Sequence, residues 1–431
     1  MLWHYLHEYL MHDLVRFYSS AEIAKQWGLG DAAVISRLQK KLWRRKLDTS
    51  RALLRGLKGA GSGSGGAAGG SHDRRSRNRL TTSDRTGASA LPDRFRQLQG
   101  KSLLVTGAAG FIGGALCRRL ASYGCDTTAT VRHPSEAETL RSQGCKAEVL
   151  DLASDEAFDR HVEGIDIVFH LAAMFQETEH GEAMYMKVND EAALKLCRAA
   201  AAAGVERFVH CSTVGVHGDV QELPCRETSP FNPMDLYQRT KLSGELAILA
   251  FAGTLPDHGI IVTVNRPAMV YGPGDLRMLK LFKAILQRRF VMIGSGEVHA
   301  HLGFIEDQVE SFLLCAVAPR EKVHLEAFNI ASDQPLTLNE LVRIIAECGG
   351  VPPPEWHVPV LPAWLAGWAC EVLWAPLNRR PPLHRRRVGF FTHNRAFDLS
   401  KARECLGYVS QWDTRRGIAR TIEWYRAMGL V

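Results

Sequence analysis

The segment SLLVTGAAGFIGGALCRRLASYG, residues 102–124, constrains the fold more than any other stretch of this chain. A short apolar run leads into glycines at 107, 110 and 113, and apolar residues at helical spacing come after them. Strand, glycine-rich turn and helix in direct succession make the opening unit of an α/β sheet. Glycine admits backbone conformations and close approaches that a Cβ forbids. The three glycines therefore have two readings. They close a tight turn, or they cradle a phosphate at a helix N-terminus, where unsatisfied N–H groups and the helix dipole favour an anion. The spacing GxxGxxG differs from the GxGxxG dinucleotide fingerprint, so other residues must decide.

Six further apolar runs read as strands: 126–132, 146–152, 165–173, 207–213, 260–267 and 327–331, with helical patterns such as EAALKLCRAAAAAG (191–204) between most of them. Strand–helix alternation predicts a doubly wound parallel sheet of Rossmann type, with a smaller C-terminal substrate region. Ligands of such sheets bind at the carboxyl ends of the strands. Ahead of this body, residues 1–58 read as a basic helical extension and 59–100 as a flexible Gly/Ser/Arg-rich linker. Together residues 1–100 carry eighteen Lys and Arg against eight acidic residues, so the formal charge of +7 belongs to the extension and not to the body. Within 19–46 the pattern has the outline of a helix-turn-helix, or of a plain amphipathic pair, and nucleic acid is not the expected partner. The start MLWHYLHEYLMHDLVRF lacks the basic region and cleavage site of a signal peptide. No apolar run is long enough to span a bilayer. Ten scattered cysteines without a CxxC pair exclude a zinc-ribbon reading and suit a reducing cytoplasm, the expected location.

The strand ends carry the candidate chemistry. The second strand ends in Thr130-Val131-Arg132, with no acid to take ribose hydroxyls and an Arg suited to a 2′-phosphate. The third ends in Asp151-Leu152, where the carboxylate either accepts from an adenine amino group or caps the next helix. In His170-Leu171-Ala172-Ala173 small residues let a flat cofactor lie close, and His170 reads as a core histidine. The fifth strand ends in HCST, with Thr213 its last polar group. Tyr237 and Lys241, four apart in YQRTK, share one helix face. A neighbouring ammonium favours a phenolate, which makes Tyr237 usable in acid–base chemistry.

In this order TGAAGFIG, DL, HLAA, Asn189 in KVNDEAALKLC, CSTVGVHG, YQRTK, RPAMVYGPGD, FIEDQV and FNIASDQPLTLNEL resemble an extended short-chain dehydrogenase/reductase of the NAD-dependent epimerase/dehydratase superfamily, over roughly residues 101–428. The resemblance implies that Gly107, Gly110, Phe111, Ile112 and Gly113 surround a cofactor pyrophosphate. It implies that Tyr237 exchanges a proton with substrate, Lys241 holds the nicotinamide ribose, Thr213 bonds the substrate oxygen, and Pro267 lies by the nicotinamide. Arg132, Asp151, Leu152 and Ala172 complete the expected cofactor set. NADP(H) is the favoured cofactor and NAD(H) the alternative; no metal is expected.

Departures from subfamily patterns narrow the expected reaction. Val214-Gly215 stand where sugar-nucleotide 4,6-dehydratases carry an Asp-Glu pair. Ala300 stands where many nucleotide-sugar epimerases place a pyrophosphate-gripping Arg, for which Arg277 or Arg289 could substitute. TATVRHP and VGFFTHNRAFDLSKARECLGY resemble the dihydroflavonol-reductase-like and 3β-hydroxysteroid dehydrogenase branches. The expectation is an oxidoreductase interconverting a secondary alcohol and a carbonyl on a sterol-like or other apolar substrate, with a nucleotide-sugar epimerase as the alternative and a cofactor-binding sensor as the remote one. Substrate-binding elements are expected mainly in 272–325 and 350–395. The Trp-rich stretch 360–387 reads as a cap helix, a substrate lid or a membrane-surface helix, which makes 361–387 the candidate for peripheral membrane contact. A homodimer is compatible with this reading.

Overall fold

The computed structural model describes residues 91–142, 145–154, 157–175, 181–220, 222–374 and 388–431, all within the unit Arg85–Val431. The helical extension 1–58 and most of the linker lie outside the described residues. The linker reading stops short of residue 100, however. Asp93–Leu98 form a 3₁₀ helix whose Phe95 and Leu98, one turn apart, are buried in the core.

Seven parallel strands form one sheet: β1 (Ser102–Thr106), β2 (Asp126–Val131), β3 (Lys146–Val149), β4 (Ile167–His170), β5 (Arg207–Cys211), β6 (Ile261–Pro267) and β7 (Glu326–Ile330). Their spatial order is β7-β6-β5-β4-β1-β2-β3. They correspond to the seven apolar runs of the sequence. The fold is the expected Rossmann-type doubly wound sheet, flanked by helices.

The central strands read as near-continuous apolar runs because both faces are covered, while the edge strand β3 buries only Ala147. Leu103, Val105, Ile167, Phe169 and Val209 point into one core, while the alternating Leu104, Val168 and Phe208 point into another. Helices α1 (Phe111–Ser122) and α4 (Ile305–Val317) close the first face; α2 (Ala192–Ala202) and α3 (Leu236–Ala252) close the second. The strand order reverses between β1 and β4, and in sheets of this kind the ligand crevice lies outside the carboxyl ends of the strands at that switch point. The glycine turn, the Thr213 loop and the head of α3 all come after strand ends at this edge.

Within 350–395, helix α5 (Val360–Trp374) buries Ala363, Trp364 and Gly367 but exposes Leu361, Leu365 and Val372. Residues 375–387 lie outside the described set. Among the described residues no helix is long and apolar enough to cross a membrane.

Candidate active site

Both readings of the glycines meet in the structure. Gly107 has φ +70°, and a Cβ there would lie 2.7 Å from the Ala172 main chain at the end of β4. A Cβ on Gly113 would lie 2.3 Å from the Gly107 carbonyl oxygen. The turn is thus folded tightly on itself and against β4, and every one of these contacts is made by backbone. Gly110 is the N-cap of α1, no side chain caps the helix, and its first turn carries no acid. The leading N–H groups of Phe111, Ile112 and Gly113 have no partner within a helix by construction. A backbone cradle of this shape, with positive dipole and no competing carboxylate, fits the diphosphate of a dinucleotide.

The remaining cofactor candidates fall into two groups. Ala172 is half-buried against the turn, and its N–H donates to Thr106 Oγ1 at 3.1 Å. Pro267 is buried at the end of β6. Arg132 is exposed at the end of β2. Asp151 is also exposed, and its Oδ1 accepts from the Ala153 N–H at 2.9 Å, a local turn closure. Leu152 is buried in the second core cluster, so its side chain supports the floor rather than lining the crevice.

Helix α3 starts where Asp235 caps it, accepting from the Gln238 N–H at 2.8 Å. That places Tyr237 in the first turn and Lys241 one turn deeper. Thr213 heads a short 3₁₀ helix and accepts from the Gly215 N–H at 3.0 Å, which leaves its O–H free to donate elsewhere. A Cβ on Gly215 would lie 3.1 Å from the Gln238 side chain, so glycine lets the Thr213 loop and the head of α3 sit together. Tyr237 is half-buried, and the Phe175 ring meets it edge-on at a centroid distance of 4.9 Å.

Lys241 is fully buried, with Nζ 3.4 Å from His210 Nε2. Burial pulls its pKa below the ordinary range, opposed by Cys211 and Glu245. The sequence argument expected Lys241 to lower the Tyr237 pKa. The structure does the reverse for this group: burial pushes the phenol up, Cys211 adds to the rise, Arg277 opposes it and Asp235 adds again. Lys241 spends its hydrogen-bonding reach on His210, and desolvation outweighs charge at the phenol.

Several buried polar groups escaped the sequence reading. Thr106, His170 and His210 stand side by side across β1, β4 and β5 by register. His170 Nδ1 lies 2.8 Å from Thr106 Oγ1, and its ring stacks on His210 at 5.4 Å. His170 is only half satisfied as a core histidine, since its Nε2 has no partner. Its pKa falls to about 3, through burial first and the Lys241 charge second. One turn further along α3 from Lys241, the fully buried Glu245 carboxylate accepts from Arg266 Nε at 3.2 Å and from Nη2 as well, while Arg266 Nη1 lies 3.1 Å from His217 Nε2. Asn189 sits in a π-helical stretch, Lys187–Glu191, and ties Met174, just beyond β4, to Thr240 of α3 at 2.8–3.0 Å. Gly244 makes that crossing feasible, because a Cβ there would lie 2.1 Å from the Asn189 carbonyl oxygen. Thr106, His170, Asn189, His217 and Arg266 fall within the motifs of the family pattern, but their pairing across the fold had no sequence signal.

Of the two arginines considered for anion binding, the structure brings Arg277 to the site. Its guanidinium lies 5.1 Å over Phe111 of the glycine turn and 6.0 Å from Phe175. Arg289 is exposed after the helix Leu279–Leu286. Ala300 is fully buried in a short strand pairing with Leu336.

Comparison with known proteins bears on this arrangement directly. Residues 103–331 match the family described as NAD dependent epimerase/dehydratase. A 2-alkyl-3-oxoalkanoate reductase of Stenotrophomonas maltophilia is 29% identical over 330 residues, covering 74% of this chain and 97% of that protein. A 3-beta-hydroxysteroid dehydrogenase of Mycolicibacterium neoaurum is 28% identical over 341 residues, covering 75% and 91%. Among solved structures, MoeE5 in complex with UDP-glucuronic acid and NAD superposes with a TM-score of 0.60 at 28% identity, covering 76% of this chain and 99% of that one.

Proposed function

The chain belongs to the NAD-dependent epimerase/dehydratase family, a family of dinucleotide-dependent oxidoreductases, and on that premise we propose that it interconverts a secondary alcohol and a carbonyl on an apolar, sterol-like or long-chain substrate. The observation that carries this reading is the Tyr237–Lys241 pair on α3, seated beside the Thr213 loop and across the crevice from an uncapped, acid-free helix N-terminus. A nicotinamide dinucleotide held by Gly107, Gly110, Phe111, Ile112 and Gly113 supplies the hydride acceptor or donor. Thr213 donates its hydroxyl to the substrate oxygen. Tyr237 gives a proton to that oxygen in reduction and takes it in oxidation. Burial raises the phenol above its ordinary value, so Tyr237 starts from the protonated form at neutral pH. Lys241 anchors the ribose side and His210 holds Lys241.

The named activities of the reductase and hydroxysteroid dehydrogenase relatives support an apolar substrate. So does the exposed apolar face of α5, succeeded in the sequence by Arg379, Arg380, Arg385, Arg386 and Arg387. We assign NADP(H) as the preferred cofactor, because β2 ends without an acid and with the exposed Arg132. A nucleotide-sugar epimerase is the second reading, favoured by the likeness to MoeE5 with its UDP-sugar. The buried Ala300, at the place where many such epimerases carry a pyrophosphate-gripping Arg, counts against it.

The test is purified protein with sterols, 3-oxo acids, neutral ketones and UDP-sugars, tracking nicotinamide absorbance and sugar products. Tyr237→Phe removes the titrating oxygen and keeps the ring, so turnover drops ~100-fold or more while dinucleotide binding persists. Unchanged turnover in Tyr237→Phe, or sugar epimerisation without net hydride consumption, rejects the reading.

A further inference from the structure

Arg277 occupies the seam between the glycine turn and Tyr237, and it is fastened from behind. Its Nε donates to Asp275 Oδ1 at 2.7 Å, and its backbone N–H donates to the same oxygen at 3.1 Å. Nη2 donates to the Val270 carbonyl at 2.7 Å. Asp275 is itself fully buried, and its main-chain carbonyl accepts from Tyr425 Oη at 2.7 Å. The guanidinium rests on Phe111 and reaches Phe175, whose ring touches Tyr237. Despite these anchors, 41% of the Arg277 side chain is exposed.

A cation needed only to cover two rings has no use for a buried carboxylate and a carbonyl that fix its plane. Fixing the plane costs side-chain entropy, and the return is a fork whose remaining donors hold one orientation. Two of the five N–H groups of the guanidinium are engaged by Asp275 and Val270, so donors remain for a planar anion. The paired Asp275 offsets part of the charge, which leaves geometry to select the ligand and keeps the surrounding aromatic wall hospitable to an apolar chain.

We propose that Arg277 receives a substrate carboxylate a few bonds from the carbon served by Tyr237, which makes the substrate class a 3-oxo or 3-hydroxy acid with an apolar chain. The proposal rests on the reading of Tyr237 and Thr213 given above. Two anionic groups meet at this seam, the substrate carboxylate and the cofactor diphosphate. The glycine turn already serves the second with backbone N–H groups, and the aromatic bridge through Phe175 directs Arg277 toward Tyr237.

Binding separates the cases without relying on turnover. Wild type, Arg277→Met and Arg277→Lys are titrated with 3-hydroxydecanoate and with its methyl ester in saturating NADPH, a dead-end pair that cannot transfer hydride, and separately with NADPH and NADH alone. The wild type binds the acid ~10- to 100-fold more tightly than the ester, the size of one charge-assisted contact. In Arg277→Met the two ligands converge, while NADH affinity stays within about twofold. Arg277→Lys, which keeps the charge and loses the fork, recovers only part of the preference. Thermal unfolding of each variant confirms an intact fold. Equal binding of acid and ester by the wild type overturns the proposal. So does a loss of NADH affinity in Arg277→Met as large as the loss for the acid, which assigns Arg277 to the diphosphate. Arg277-dependent preference for the acid without any hydride transfer leaves this site standing and rejects the oxidoreduction reading. Turnover of acid and ester at equal KM does the opposite.

Discussion

The two flanks of the crevice are specified in different ways. On the β1–β3 side, the structure depends on atoms that are missing. Gly107 and Gly113 bring backbone against backbone, and the polar residues nearby, Arg132 and Asp151, remain in water. On the β4–β6 side, it depends on polar atoms that are buried and paired: Lys241 with His210, His170 with Thr106, Glu245 with Arg266, Asn189 with Thr240. The first flank presents main-chain N–H groups, whose chemistry does not distinguish one dinucleotide diphosphate from another. The second holds one helix, α3, in one register against two strand ends. Positioning a reacting phenol needs the second kind of order, because a displacement of about 1 Å in a catalytic group is costly in rate.

The sharpest break of this contrast is Glu245→Leu. It leaves the Arg266 guanidinium, 3% exposed, without its counter-charge. Breaking a buried pair from one side costs about 3–5 kcal/mol, whereas replacing both partners with apolar residues is often neutral. Urea unfolding should show that loss in Glu245→Leu, and Glu245→Leu/Arg266→Met should recover most of it. A single variant within about 1 kcal/mol of wild type means the network does not hold α3.

Acid should strike the same flank. Protonation of His170 is opposed by burial and then by Lys241, so its pKa is about 3 in the fold against 6.5 for the free side chain. Between those values the unfolded chain binds the proton and the fold does not. Stability is therefore complete above the upper value and falls as pH drops through the window, by about 1.4 kcal/mol per pH unit for this group. His210, held well below its ordinary value by burial, by Lys241 and by His170, adds to the slope. Urea unfolding of wild type and His170→Gln at successive pH values between about 7 and 4.5 reads this directly. A slope that persists undiminished in His170→Gln places the acid sensitivity elsewhere.

This division also governs what was legible in the sequence. The central strands were legible because burial on both faces makes them near-continuous apolar runs, whereas the edge strand β3 (KAEV) buries a single residue, and the glycine turn was legible because only glycine fits its contacts. Tyr237 and Lys241 were legible through spacing on one helix. Their electrostatics were not: a charge four residues away looked decisive, and burial, which no local pattern encodes, reversed the phenol's shift. Glu245 and Arg266 lie 21 residues apart, and each looks like an ordinary charged residue until α3 folds onto β6. The Thr106–His170–His210 row needs the inter-strand register, and Arg277 needs a loop folded back onto the glycine turn. Phe95 and Leu98 were hidden by polar neighbours that made their segment read as linker.

Cofactor choice sharpens the other flank. Arg132→Ala should weaken NADP(H) by ~10- to 100-fold, the worth of one charge-assisted contact, and leave NAD(H) nearly unchanged. Because Arg132 is exposed and remote from the buried network, unfolding free energy should not move. Fluorescence titration with both reduced cofactors decides, and equal losses for the two remove the phosphate assignment.

Asp151→Ala carries the smallest effect and distinguishes the two uses proposed for its carboxylate. In the structure Asp151 Oδ1 accepts from the Ala153 N–H, and the Asp151 carbonyl accepts from the Ser154 N–H at 3.0 Å. This turn seats Leu152 in the second core, where 7% of it is exposed. Removing the carboxylate frees one N–H at a solvated turn, which costs about 1 kcal/mol, as at helix caps. A carboxylate whose work is to close this turn should therefore lower the unfolding midpoint of the cofactor-free protein slightly and leave NADH affinity within about twofold. A carboxylate that accepts from the adenine amino group should do the reverse, weakening NADH and NADPH equally, since the adenine is common to both. The second pattern would show that the β1–β3 flank recognises its ligand through a polar side chain after all, and the contrast between the two flanks would then hold for packing but not for recognition.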